Sequence, residues 1–254
     1  MDNKKIISEL ALAKVAAEKA GKYLIDNKEI LNTSIFSSNT DIKLKADIES
    51  EKVIKEFIAS NSKHPILSEE SGKSVTNLGD TFWVIDPLDG TANYSRNLPI
   101  CCVSIALIYK FKPVLGVIYD FNNQDLYEGS QSTNACLNSK KISVSDISDK
   151  SKGILLTGLP NSTDFSDSSL IEYVKDFQNW RKVRMIGSAA MAAAFVASGK
   201  VDVYKEKGTF LWDVAAGAAI LNAAGGNASI INQKENFQID VFFSNSKIVD
   251  NTWE

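Results

Sequence analysis

The residues with chemistry to offer in this chain are acids placed at the ends of apolar runs. Asp86-Pro-Leu-Asp89-Gly-Thr91 sets two carboxylates, a glycine and a hydroxyl directly after the apolar stretch 81–85. Pro87 has no N–H to give a sheet ladder, which predicts a strand ending at about Asp86. Gly90 permits a positive φ or a close backbone approach, and Thr91 adds a hydroxyl beside newly freed amides. Carboxylate and carbonyl oxygens suit a hard cation such as Mg²⁺, while turn or helix-start amides suit a phosphate. The same residues also make an ordinary Pro-Asp-Gly turn, so this stretch alone leaves both readings open.

Other acids stand where elements should begin or end. Glu69-Glu70 closes a short strand expected within 64–68, and a sheet edge shared with 81–86 would bring these acids towards Asp86. Two adjacent glutamates are otherwise a solvated turn. Asp47 stands at the N-cap position of a helix over 48–58, with Ile48, Val53, Ile54, Phe57 and Ile58 facing inward. Trp212-Asp213 opens a helix over 211–224, and Glu206 lies seven residues before Asp213, in the turn after a strand over 201–204. Asp213 is either a cap or an acidic ligand at that helix start. Gly187-Ser188-Ala189-Ala190 opens an alanine-rich helix over 188–198, whose small residues allow a ligand close to free N–H groups or simply tight core packing.

The inventory removes several phosphate chemistries. One histidine (His64) rules out a phosphohistidine pair or a His-rich dinuclear site, and no cysteine has an arginine six positions later. There is no Asp-x-Asp and no Gly-x-x-x-x-Gly-Lys loop. What remains is a carboxylate cluster that holds metal, which can bring the pKa of bound water from 15.7 towards about 7 without a histidine base.

The elements that must position these acids follow from periodicity. Ile6, Leu10, Ala13, Ala17, Ala20 and Leu24 give a helical stripe over 6–31, with Lys4, Lys5, Glu9, Lys14, Glu18, Lys19 and Lys22 on the wet face. A Ser/Thr/Asn-rich loop is expected over 33–40 and a short helix or turn over 92–98. Alternating runs over 102–109, 113–119 and 126–129 predict an antiparallel meander. The polar stretch 138–152 marks a boundary, after which strands (154–157, 183–185, 201–204, 227–231, 241–244) interleave with helices (168–179, 188–198, 211–224). That alternation predicts an α/β layer on a mixed sheet, and residues 1–254 are expected to form one catalytic domain of two packed halves, 1–145 and 146–254.

Composition is that of a folded soluble protein: 44% hydrophobic, 23% charged, with 5 Pro and 14 Gly. A net charge of −3 lacks the basic excess of a nucleic-acid binder. Three cysteines, with Cys101 and Cys102 adjacent, make no disulfide framework, and 189–197 is too short to cross a membrane. The chain begins on an amphipathic pattern rather than a signal peptide, so a cytoplasmic protein with no membrane and no nucleic-acid partner is expected.

Glu69-Glu-Ser, Asp86-Pro-Leu-Asp89-Gly-Thr91, Gly187-Ser-Ala-Ala and Trp212-Asp213-Val-Ala-Ala-Gly occur in the order and spacing of the inositol monophosphatase family, which this chain resembles over about residues 40–245. The resemblance implies an αβαβα sandwich of the inositol monophosphatase and fructose bisphosphatase type, Mg²⁺ dependence, lithium sensitivity and a homodimer. It implies a phosphatase acting on a phosphate monoester of a small polyol, myo-inositol monophosphate first. Carried over, Glu69, Asp86 and the Leu88 carbonyl would hold one Mg²⁺, and Asp86, Asp89 and Asp213 a second. Gly90 and Thr91 amides would bind phosphate, and the catalytic set of Asp47, Glu69 and Thr91 would include the pair, Asp47 with Thr91, that orients the attacking water. Gly187, Ser188 and Ala189 would line the alcohol side, with Glu206 accepting from substrate hydroxyls. Two departures stand out. Asp41 is followed by Ile-Lys-Leu where the family has x-Val-Thr, which removes a brace for Asp47; and Ala92-Asn-Tyr94 is nearer the inositol monophosphatase pattern than that of the bisphosphate nucleotidases. Nucleotidase, histidinol- and sugar-phosphate branches stay open as alternatives, as does a mainly regulatory family member.

Overall fold

The computed structural model describes residues 1–38, 42–160, 163–250 and 253. Asp41 therefore lies outside the described residues, as do 39 and 40 of the expected loop. The first half runs α1 (Asn3–Asp26), α2 (Lys28–Leu31), β1 (Ser34–Ser37), β2 (Ile42–Leu44), α3 (Lys45–Asn61), β3 (Ile66–Ser68), β4 (Gly72–Lys73), β5 (Thr81–Asp89) and α4 (Thr91–Ser95). It continues with β6 (Cys102–Tyr109), β7 (Lys112–Asp120), β8 (Asp125–Ser130), β9 (Thr133–Leu137) and β10 (Lys140–Lys141). The second half is β11 (Ile154–Leu156), α5 (Asp167–Phe177), β12 (Lys182–Arg184), α6 (Ala189–Ala197), β13 (Val203–Phe210), α7 (Leu211–Ala223), β14 (Asn227–Ile231) and β15 (Gln238–Ser244).

Two sheets alternate with three helical layers. The first sheet has eight strands in the order β10-β9-β8-β7-β6-β5-β3-β4, antiparallel except that β3 runs parallel to β5. The second has five, β12-β11-β13-β15-β14, with β11 parallel to both neighbours and β15 antiparallel to its own. Side chains alternate across a strand, so β5 sends Trp83 and Ile85 to one face and Phe82 and Val84 to the other. The Trp83 face packs under α1 and α3, through Ile6, Leu10, Leu24, Ile54 and Ile58. The Val84 face meets α6 and α7, which pack on their other side against Tyr204, Val241 and Phe243 of the second sheet. Phe177 of α5 covers the outer side of that sheet beside Leu155, Val203 and Phe242. This is the expected αβαβα sandwich.

The middle layer explains the alanines. A helix between two sheets must be apolar all round, and small residues let the backbones close in. A β-carbon on Gly116 of β7 would lie 2.2 Å from the Ala216 carbonyl oxygen, and one on Gly217 would lie 2.3 Å from Ala193 Cβ.

Several local expectations need correction. The first helix stops at Asp26, where Asn27 turns its carboxamide onto the Tyr23 carbonyl at 2.9 Å, and α2 follows as a separate turn. Glu9, placed on its wet face, is 2% exposed and paired with Lys5, with His64 Nε2 at 3.8 Å. Part of the 33–40 loop forms β1, an exposed strand paired with β2. Within α3, Ile54 and Ile58 are buried, whereas Ile48, Val53 and Phe57 are only half-buried. β9 and β10 extend the meander into the polar boundary. Among the described residues no helix is long and apolar enough to cross a membrane.

Candidate active site

The acids sit where strand ends meet helix starts. β5 does not stop at Asp86; it runs to Asp89 with an irregularity against β6 between Asp86 and Asp89, and Pro87 occupies that irregularity. A proline inside a bulge costs no ladder bond, which is why its presence did not end the strand. Asp86 Oδ1 accepts the Leu88 N–H at 3.0 Å, and the Pro87 carbonyl accepts the Ser50 hydroxyl of α3 at 2.8 Å. Gly90 then turns the chain at φ +88°, and its β-carbon would lie 2.8 Å from the Ile100 carbonyl, so both conformation and space require glycine.

Parallel pairing of β3 with β5 places Ser68 opposite Ile85, and the Glu69 N–H continues the ladder to the Ile85 carbonyl at 3.1 Å. Glu69 is thereby brought beside Asp86, and the two carboxyls are hydrogen-bonded. Glu69 is exposed at the mouth of the site. Glu70 pairs instead with Lys43 of β2.

Asp47 is not the helix cap. It is the third residue of α3, and its Oδ2 reaches back to the Leu44 N–H at 2.6 Å. Its Oδ1 accepts the Thr91 hydroxyl at 2.8 Å; that hydroxyl also lies 3.1 Å from the Leu88 carbonyl. Asp213 repeats the arrangement on α7: it is third in the helix, and its Oδ2 accepts the Phe210 N–H at 2.8 Å and the Thr209 hydroxyl at 2.6 Å. Both acids thus sit near the positive end of a helix dipole, with one oxygen tied down. Asp89 is held by the start of α6, accepting from the Ser188 hydroxyl, the Ala190 N–H at 2.9 Å and the Ala189 N–H at 3.3 Å. Ser188 and Ala189 therefore grip a carboxylate of the site. Glu206 lies within β13 rather than in a turn after it, and its Oε2 accepts the Tyr204 hydroxyl at 3.2 Å.

Three residues make contacts at the site that the sequence reading did not assign to them. The Asn93 carboxamide donates to the carbonyls of Ile100 at 2.7 Å, Ile186 at 2.8 Å and Gly187 at 3.3 Å, tying the turn after β5 to the α6 entrance. Thr209 orients Asp213, and the Cys102 thiol lies 3.7 Å from Asp89 Oδ2.

The electrostatics follow from crowding like charges out of water. Asp47, Asp86 and Asp89 are at most 9% exposed. Burial, then Glu69, Asp89 and Asp213, raise Asp86 well above the usual carboxylate range; burial, then Asp213, do the same to Glu69. Asp213 is pushed up to about 7 by burial and then Asp89, and Glu206 to about 8 by burial and then Asp213. Asp47 is raised to about 7 by burial, against the opposing bonds from Leu44 and Thr91. Among the described residues the side chains do not close as three ligands around one point; each is braced by its own hydrogen bonds. The donor set is nevertheless that of a hard divalent cation: oxygen-only, and negative charge in excess of what nearby protein groups neutralise.

Known proteins agree with this architecture. The inositol monophosphatase family model matches residues 2–253. An inositol-1-monophosphatase from Synechocystis is 37% identical over 191 residues, covering 74% of this chain and 67% of that protein. Nus factor SuhB from Salmonella typhimurium is 35% identical over 247 residues, covering 94% and 92%. The structure of an inositol monophosphatase from Anabaena superposes with a TM-score of 0.81 at 34% identity, covering 95% of this chain and 92% of that one. Acid placement, layer order and sequence thus converge, and the chain belongs to the inositol monophosphatase family.

Proposed function

We propose that the protein is a Mg²⁺-dependent phosphatase hydrolysing a phosphate monoester of a small polyol, with myo-inositol monophosphate the first candidate. One observation carries the reading: Asp47, Asp86 and Asp89 are buried with Glu69 and Asp213 at their mouth, beside a Gly90-Thr91 turn that frees backbone N–H groups. Glu69, Asp86 and the Leu88 carbonyl would hold one Mg²⁺, and Asp86, Asp89 and Asp213 another. The bound cations supply charge neutralisation for the phosphoryl oxygens and a lowered pKa for water. The Gly90 and Thr91 amides bind the phosphate at the start of α4. Thr91 donates its hydroxyl hydrogen bond to Asp47, so its oxygen can accept one from the water in line with phosphorus, and the proton that water loses can pass through the hydroxyl to Asp47. Gly187, Ser188 and Ala189 lie on the alcohol side, and Glu206 accepts hydroxyls of the polyol.

A regulatory role is the second reading, favoured by the name Nus factor of the Salmonella relative. The complete acid set argues that chemistry is retained, because a binding surface has no need of mutually repelling carboxylates. Lithium inhibition, a cytoplasmic location and a homodimer belong to the same proposal. Exposed Phe165, Ile171, Val174 and Met185 support the dimer, which light scattering after gel filtration checks. The decisive assay is phosphate release from inositol, sugar, histidinol and nucleotide phosphates with and without Mg²⁺. Preference for inositol phosphate supports the proposal; preference for a 3′(2′),5′-bisphosphate nucleotide moves the protein to another branch, and no release from any of them removes it.

A further inference from the structure

We infer that Gly158 is a specificity-determining position: the space left by its missing side chain is where the Glu206 carboxylate stands, so Gly158 sets where that acid meets the substrate alcohol. The inference deepens the proposed function and rests on Glu206 acting as the acceptor for polyol hydroxyls. Gly158 lies two residues beyond β11, after Thr157, whose N–H donates to the Arg184 carbonyl at 3.1 Å and fixes the local backbone. A β-carbon on Gly158 would lie 2.1 Å from Glu206 Oε2, 2.7 Å from its Cδ and 3.2 Å from Oε1, and these are the three nearest atoms. The backbone itself does not call for glycine, since Gly158 is not among the positive-φ residues. The three tightest contacts all come from Glu206.

One hydrogen bond sets the place of the Glu206 carboxylate. Its Oε2 accepts from Tyr204, whose ring is 1% exposed and packs edge-on against Phe243 at 6.0 Å. Tyr173 of α5 lies close enough that the charge of Glu206, after burial, raises its phenol. A methyl at residue 158 must push the carboxylate by about 1.3 Å or more, from 2.1 Å to the 3.4 Å where ordinary contact begins, and a displacement of about 1 Å can already cost up to ~10²-fold in a positioned reaction. The ligand class affected is polyol phosphates, which present a hydroxyl to Glu206. Aryl phosphates present none and should not register the change.

The test compares kcat/KM for myo-inositol 1-phosphate and p-nitrophenyl phosphate in wild type, Gly158→Ala, Glu206→Asp, the double variant and Glu206→Gln, with Tm for each. For Gly158→Ala the expected result is a loss of about 10-fold or more on inositol phosphate, chiefly in KM, with p-nitrophenyl phosphate within about 3-fold and little change in Tm. An equal loss on both substrates, or none on either, overturns the inference. Aspartate is one methylene shorter and clears the added methyl, so adding Gly158→Ala to Glu206→Asp should cost less than about 2-fold; a further 10-fold loss there also overturns it. If Glu206→Gln leaves the substrate ratio unchanged, the Glu206 reading falls and the inference with it. If Glu206→Gln shifts the ratio and Gly158→Ala does not, only the role of Gly158 is lost.

Discussion

Replacing Asp213 by asparagine isolates the charge that the metal-free site must carry. Asp213 is raised from 3.8 to about 7, by burial and then by Asp89, so the folded chain holds this proton more tightly than the unfolded chain. The sign follows: the stability tied to that proton is fully present below about 3.8 and is lost as pH rises through about 7. Holding the group ionised costs at most ~4 kcal/mol, at ~1.4 kcal/mol per tenfold change in acidity. Asp89 shares that cost, so neutralising Asp213 alone should recover ~2 kcal/mol. Asparagine keeps a carbonyl oxygen for the Thr209 hydroxyl and the Phe210 N–H, so the helix start survives. Thermal unfolding in chelator should show Asp213→Asn above wild type by roughly 4–8 °C at pH 8.5, with the gap narrowing towards pH 5. Added Mg²⁺ should raise wild type and move the variant far less, while turnover of the variant drops at least ~10²-fold. A variant less stable than wild type at pH 8.5 without metal, or a gap that ignores pH, refutes the electrostatic account.

Asp86→Asn should nearly abolish phosphate release while circular dichroism stays native; wild-type rates would rule out Asp86 as a ligand shared by both cations. Thr91→Val removes the hydroxyl that donates to Asp47 and should lower kcat by about 10²-fold or more with KM little changed, and a pure KM effect would contradict its role. Glu206→Gln should weaken polyol substrates more than aryl phosphates in paired kcat/KM measurements, and equal losses would remove its role. Gly116→Ala drives a methyl into the Ala216 backbone and should cost ~3 kcal/mol, lowering Tm by roughly 6–12 °C; a Tm within about 2 °C of wild type would mean α7 is not held that close to β7.

What could be read in the sequence was whatever repeats with a period. The α1 stripe and the β6–β8 meander show regular alternation, and both elements form with their apolar residues in the core, although α1 ends at Asp26. The two half-sites on β3 and β5 were legible as strand ends, but their adjacency depended on parallel pairing that no local pattern states. Asp47 was misplaced, and Asp213, third in its expected helix over 211–224, stayed open between cap and ligand, since a carboxylate that accepts the N–H three residues back leaves the same local sequence signal as a cap. β13 hid Glu206 because Lys205, Glu206 and Lys207 resemble a polar turn, although Lys205 is buried and paired with Asp176 and Asp250. The tie that Asn93 makes was invisible for a different reason: its partners Ile186 and Gly187 lie over 90 residues away.

The central claim is that Glu69 just after β3, Asp86 and Asp89 of β5 and Asp213 of α7 together hold the divalent cations on which turnover depends. It is tested most directly by stripping the protein with chelator and titrating Mg²⁺ back while following both heat of binding and phosphate release from myo-inositol 1-phosphate. Saturable binding that restores activity in wild type, is lost in Asp86→Asn and falls to a single weaker cation in Asp213→Asn is the predicted result. Undiminished phosphate release in excess chelator, or full Mg²⁺ binding by both variants, would contradict it.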